Sequence, residues 1–125
     1  HTGCFHVPSY KISGGIEPKS FEALLTKHPS VRVCFAHMNR DHPERAWDVV
    51  NRHQNVYVDT SWQSVKTVQQ ALGAIPLERI LLGSDWPLLN DELQVENTRI
   101  VEEACTSEQA RIVMGENAER FIASS

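Results

Sequence analysis

Three short apolar runs recur along the chain at nearly even spacing, and a helical pattern follows each one. They are VRVCFAHM at 31–38, NVYVDTS at 55–61 and RILLGSD at 79–85. Such runs, bounded by polar or glycine-containing stretches, read as buried strands. After the first, Pro43 to Arg52 puts Ala46, Trp47, Val49 and Val50 on one face, and Pro43 suits a first helical turn. After the second, Val65, Val68, Leu72 and Ile75 repeat at helical spacing. After the third, 91–104 sets Leu93, Ile100, Val101 and Ala104 on one side. Pro18 to Lys27 reads as a helix ahead of the first strand, with Phe21, Leu24 and Leu25 facing in. Near the end, Thr106 and Gln109 predict a capping box for a helix over 107–114. Gly115 is expected to end that helix, and Ala118, Phe121 and Ile122 then share a face of a last one.

Strand alternating with helix implies parallel pairing through right-handed crossovers. The strands start near 31, 56 and 79, a period of about 23 to 25 residues. Eight such units make a chain of roughly 200 residues or more, the scale of a (β/α)8 barrel. The 125 residues hold three strands and the stub of a fourth. The expected fold is therefore α/β, with parallel (β/α) units forming half of a TIM barrel, and residues 1–125 forming one partial domain. A small doubly wound sheet is the alternative. It lacks a GxGxxG or Walker loop, and SGGIE at 13–17 has paired glycines without the flanking pattern. The chain opens on His-Thr-Gly without an initiator Met, which reads as a piece of a longer protein. A half-barrel leaves strand edges unpaired. Pairing with a missing N-terminal half, or a homo-oligomer, is the expected remedy.

Charge narrows the partners. The net charge is −4 with histidines neutral, which offers no basic face for nucleic acid. No apolar run is long enough to cross a bilayer, so no membrane partner is expected. Cys4, Cys34 and Cys105 are odd in number and lack paired spacing, which fits reduced thiols in a cytoplasmic protein.

Each strand turns polar at its end. The first closes on His37, the second on Asp59-Thr60-Ser61, the third on Ser84-Asp85, and His1-Thr2-Gly3 stands where an earlier strand would close. In a parallel barrel all strands finish on one face, and that face carries the chemistry. If His37 points into the barrel, strict alternation puts Val31, Val33 and Phe35 on its side and turns Cys34 and Ala36 to the helices. By the same rule Leu81, Gly83 and Asp85 point in. Val56 and Val58 suit the helix side, which turns Tyr57, Asp59 and Ser61 inward. Two imidazoles and a carboxylate at one rim are good ligands for a divalent cation. Asp85 then binds the metal, takes the proton of a metal-bound water, or both. Such a cation lowers the pKa of bound water towards roughly 7. Asp59 and Ser61 read more simply as turn or cap groups, His42 as helix-start surface, and His6, His28 and His53 as surface or helix ends.

The stretches HTG (1–3), VRVCFAHM (31–38), NVYVDTS (55–61), RILLGSDWP (79–87) and MGENAERFI (114–122) together resemble the C-terminal half of the amidohydrolase superfamily. Within it, they look like the amidohydrolase-2 group of metal-dependent hydrolases and decarboxylases. The resemblance implies a distorted barrel with one or two divalent ions, zinc first and manganese as the alternative. By position His1 looks like the histidine ligand after strand 5. His37 looks like the histidine after strand 6, which binds metal or substrate, and Asp85 like the strand-8 aspartate, ligand and proton shuttle. The family's His-x-His after strand 1 and its strand-4 residue have no counterpart and are expected upstream. Where the family often has glycines after the strand-6 histidine, this chain has Met38-Asn39-Arg40. Arg40 is a candidate for binding a substrate carboxylate through its planar fork, and Trp86 for walling the pocket. The expected activity is hydrolysis of an amide, lactone or similar bond in a small molecule by metal-activated water. The alternatives are a decarboxylase of the same family and a non-catalytic half-barrel.

Overall fold

The computed structural model describes residues 1–3, 16–86 and 91–123. Cys4, His6, the paired glycines of SGGIE and Pro87 lie outside them, as does the side chain of Leu93. A short 3-10 turn, Pro18–Phe21, leads into α1 (Glu22–Lys27). Then β1 (Val33–Phe35), α2 (Pro43–Arg52), β2 (Val56–Asp59), α3 (Val65–Ala74) and β3 (Ile80–Leu81) alternate in sequence. Next come α4 (Asp91–Ala104), α5 (Ser107–Arg111) and α6 (Asn117–Ile122). The three strands form a parallel sheet in the order β1-β2-β3. No helix among the described residues is long and apolar enough to cross a membrane.

Local chemistry accounts for the helix bounds. Pro43 opens α2, where its missing N–H costs nothing. Ser64 caps α3 by accepting the Thr67 N–H at 3.2 Å. Thr106 and Gln109 make the expected reciprocal box at the start of α5, with bonds of 2.9 and 3.3 Å. Gly115 does not end this helix. It sits in a single π-turn, Ile112–Glu116, that carries the chain straight into α6. The wider turn directs the Val113 carbonyl to the Leu82 N–H at 3.0 Å, which ties the helix to the end of β3.

Register fixes which side chains share a face. Val33 pairs with Val56, Cys34 with Tyr57, Phe35 with Val58, and Val58 with Ile80. Phe35, Val56, Val58 and Ile80 are all buried in one cluster with Leu25, Ala46, Val49, Ala71 and Val101 of the helices. That face is the helix side. Tyr57, Asp59 and Leu81 lie on the opposite face, as expected. The parity expected for β1 is reversed: Val33 and Phe35 meet the helices, and Cys34 faces inward with Tyr57. Phe35 packs on Phe21 at 5.7 Å between ring centres. Val31 lies outside the strand and is exposed. Two further positions differ from the helical pattern, Leu24 at 51% exposed and Ile122 at 76%. Each ends up on the outer side of a helix only six residues long.

The last helix crosses the beginnings of all three strands. The Arg32 guanidinium, just before β1, donates to the carbonyls of Arg120, Phe121 and Ala123 at 2.8, 3.0 and 2.6 Å. Carbonyls in the last turn of a helix lack i+4 partners in general, and a cation suits that end of a helix. Tyr57 in β2 meets Phe121 edge-on at 4.9 Å. Buried Asn117 donates to the Leu77 and Ile80 carbonyls, both at 2.8 Å, at the start of β3. The opposite ends of the strands are left to the loops that carry the polar residues.

Candidate active site

The loop after β1 is the unusual one. His37, Met38, Asn39 and Arg40 all have positive φ, at 64°, 45°, 62° and 41°. Each such residue costs an L-amino acid roughly 1–2 kcal/mol, so the surroundings must hold the turn in place. Asp59 Oδ1 accepts the His37 N–H at 3.0 Å. The Gln63 amide donates to the carbonyls of His37 and Arg40 at 2.6 and 3.2 Å. Met38 is buried in the apolar cluster beneath. Gly3, at φ 91°, passes so close that a Cβ there would lie 2.9 Å from the Asn39 carbonyl atoms. Only glycine permits that approach. Thr2 completes the clasp, its hydroxyl donating to the Ala36 carbonyl at 3.0 Å.

This left-handed run corrects the route by which His37 reaches the rim. Strict alternation from an outward Phe35 would not aim it inward together with Val33 and Phe35. The chain leaves the strand at Ala36, and the turn then delivers the imidazole to the inner face. There His37 is 3% exposed. Its Nδ1 lies 2.6 Å from Ser61 Oγ, and its Nε2 lies 2.9 Å from His1 Nδ1. Burial pushes the imidazole below its ordinary pKa, against the pull of the Asp59 and Asp85 carboxylates.

Asp59 anchors the group. Its Oδ1 accepts from the backbone N–H groups of His37 and Ser61, both at 3.0 Å, and from the Ser61 hydroxyl. A Cβ on Gly83 would stand 2.6 Å from that same oxygen, so the segment just after β3 needs glycine there. Across the rim, the Trp62 indole donates to Asp85 Oδ2 at 2.6 Å. The Arg40 guanidinium lies over the Trp62 ring, 4.4 Å from its centre. Trp62 and Asp85 also have positive φ, at 61° and 56°. Among the described residues, the six non-glycine residues with positive φ thus all belong to loops at one end of the sheet, the pattern of strain gathered at a working site.

The expected residues are therefore placed as follows. His1 and His37 touch, and Asp85 and Arg40 meet on opposite parts of Trp62. Trp86 is 68% exposed, with its N–H donating to Ser84 Oγ at 3.3 Å. The sequence reading passed over Trp62 and Gln63, which hold the loops together. Their only visible signal is the polar-aromatic stretch TSWQ that closes β2.

The fit to a metal ion can be tested on the donors. At tetrahedral angles two nitrogens bound to one zinc at about 2.0–2.1 Å lie roughly 3.3–3.4 Å apart. His1 Nδ1 and His37 Nε2, 2.9 Å apart at hydrogen-bond distance, would have to separate by a few tenths of an ångström to share an ion. Among the described residues no three His, Cys, Asp or Glu groups gather closely enough to hold an ion by themselves. What the described residues do bring together at the rim is a pair of imidazoles in contact.

Cys34, on the same inner face, is a different kind of residue. Burial, with Asp59 adding to it, pushes its thiol up to about 12 from 9.0. The folded chain is expected to resist iodoacetamide at Cys34 at pH 8, and to react once denatured. Mass mapping of the alkylated peptide checks this. Because the unfolded thiol ionises first, its contribution to stability is present below pH 9 and is lost as pH rises towards 12.

Parallel strands, helices packed on one face and polar loops at one end define a partial TIM-type barrel. A family model described as Amidohydrolase (Amidohydro_2) matches residues 6–123, and the chain belongs to that family. No curated protein matches the chain. Among solved structures, it is similar to 2,6-dihydroxybenzoate decarboxylase from Rhizobium, with 21% identity, TM-score 0.63, and coverage of 78% of this chain and 36% of that one. An uncharacterized TIM-barrel protein from Bordetella bronchiseptica gives 20% identity and TM-score 0.69, covering 85% and 39%. A dihydroxybenzoic acid decarboxylase from Polaromonas sp. JS666, solved with manganese and the inhibitor 2-nitroresorcinol, gives 21% and 0.60, covering 78% and 35%. The chain thus spans well under half the length of these structures, which fits a partial barrel.

Proposed function

We propose that residues 1–125 form one partial domain of a metal-dependent amidohydrolase-type enzyme acting at a carbonyl carbon of a small molecule. The observation that carries this is the contact between His1 Nδ1 and His37 Nε2 at the strand ends, with Asp85 closing the third strand on the same rim. His1 and His37 would hold a divalent ion, manganese or zinc, together with groups from the rest of the barrel. Asp85 is proposed as a further ligand, a proton carrier, or both. When bound, the ion supplies Lewis-acid polarisation of the substrate oxygen.

The chain's own residues do the rest. In hydrolysis of an amide or lactone, Asp85 takes a proton from the attacking water as the new C–O bond forms. It returns that proton to the nitrogen or oxygen that leaves. Trp62 holds Oδ2 by donating its indole N–H, so Oδ1 is the oxygen proposed to carry the proton. Trp86 offers an aromatic wall at the edge of the rim.

A second reading is decarboxylation. The Arg40 guanidinium favours it: it lies over the Trp62 ring, whose indole N–H also holds Asp85, and it is a candidate to pair with a substrate carboxylate. Two of the similar solved structures are decarboxylases of hydroxybenzoates. Asp85 would then deliver a proton to the ring carbon as carbon dioxide departs.

The test loads the whole protein with manganese or zinc and offers it lactones, simple amides and hydroxybenzoates. Release of acid supports hydrolysis, and release of carbon dioxide supports decarboxylation. Neither activity in protein carrying stoichiometric metal overturns both. The open edges of β1 and β3 are proposed to be covered by the rest of the barrel or by a second copy. A 125-residue sample that elutes as a compact 14.1 kDa monomer opposes this part.

A further inference from the structure

We propose that Asp59 and Ser61 are positioning residues that fix His37 as the Nδ1–H imidazole and turn its Nε2 lone pair to the rim. The argument is a count of hydrogens. Asp59 Oδ1 already accepts two backbone N–H groups, so it acts here as an accepting oxygen. Ser61 has one hydroxyl hydrogen, and its contact with that oxygen is shorter than an ordinary hydrogen bond. Two lone pairs cannot face each other at such a separation, so the Ser61 hydrogen goes to Asp59. Ser61 Oγ has then nothing left to donate. Its 2.6 Å contact with His37 Nδ1 requires the hydrogen to come from the ring.

The order extends one step outward. With Nδ1 carrying the hydrogen, neutral His37 presents a bare Nε2, and His1 Nδ1 at 2.9 Å must donate to it. Four groups therefore form a chain with every hydrogen pointing the same way, from His1 through His37 and Ser61 to Asp59. Such chains strengthen their own links. A carboxylate behind an imidazole is the usual device for orienting a ring towards a metal. Here a serine stands between the two, and the same carboxylate also pins the His37 backbone. Ring, tautomer and main chain are set by one residue. Gly83 keeps the space that Asp59 occupies.

The metal consequence rests on the reading above, whereas the tautomer does not. The first measurement is the nitrogen-15 spectrum of metal-free protein labelled at histidine. His37 is expected to show Nδ1 as the pyrrole-type nitrogen and Nε2 as the pyridine-type one. Ser61→Ala is expected to move the ring towards the opposite tautomer, and Ser61→Thr, which keeps a hydroxyl, is expected to restore it. An unchanged tautomer in Ser61→Ala, or Nε2–H in the parent protein, overturns the proposal. The second measurement is manganese titration by electron paramagnetic resonance. Ser61→Ala should bind about 10- to 100-fold more weakly than the parent, with Ser61→Thr close to the parent. If the tautomer shifts as stated while the parent takes up no manganese or zinc, the positioning role stands and the metal reading falls.

Discussion

Asp59→Ala is expected to lower the stability of the fold by about 3 kcal/mol, which in a chain of this size corresponds to a melting point roughly 10 °C lower. One carboxylate oxygen accepts three hydrogens, two of them from the main chain on different loops. Removing it leaves the His37 and Ser61 N–H groups without acceptors at a half-buried position. It also frees a left-handed run that costs most of its residues backbone strain. Asp59→Asn keeps an accepting oxygen and the side-chain volume, so it should lose less than half as much. Gly83→Ala tests the same contact from the other strand, because the added methyl meets the Asp59 carboxyl group. Alone it should destabilise by roughly 1–3 kcal/mol, the range for overpacking. In the Asp59→Ala background the carboxyl group is gone but the residue-59 Cβ still stands 2.9 Å away, so the second substitution should cost less than in the parent without becoming neutral. Thermal melts of the four variants check this, and strictly additive losses would remove the close packing from the explanation.

Asp85→Asn is expected to reduce kcat of the whole, metal-loaded enzyme by about 10²- to 10⁴-fold, the usual contribution of a placed acid or base. Asparagine is the informative replacement. It accepts the Trp62 indole hydrogen as aspartate does, and it tolerates the positive φ of 56° better than other residues. The fold and KM should therefore change little while the proton carrier is lost. A variant that retains more than half of the parent kcat would show that Asp85 does not move the proton.

Periodicity carried much of the fold. Pro43–Arg52 and 91–104 have helices with the expected bounds because an apolar face at helical spacing is a local property, and packing here did not override it. The capping box at Thr106 and Gln109 was legible for the same reason. The parity of β1 was not. It was inferred backwards from His37 by assuming that the strand continues to that residue, whereas the strand stops at Phe35. Nothing local in FAHMNR marks four successive left-handed residues. Their support comes from Gln63 and Asp59, more than twenty positions away in sequence. Trp62 escaped notice on similar grounds, since its partners Arg40 and Asp85 come from two other loops. The strand-end histidine and aspartates could be read from the sequence, but the residues that aim them could not.

The crossing of α6 beneath the strand beginnings has a consequence for how such a molecule can change over evolutionary time. Arg32, Tyr57 and Asn117 tether the sheet at one end, and the strained loop residues among those described sit at the other. Loops around the rim can be lengthened, shortened or exchanged without loosening those tethers. Selection can thus explore new substrates on one side of the molecule while the other preserves its framework.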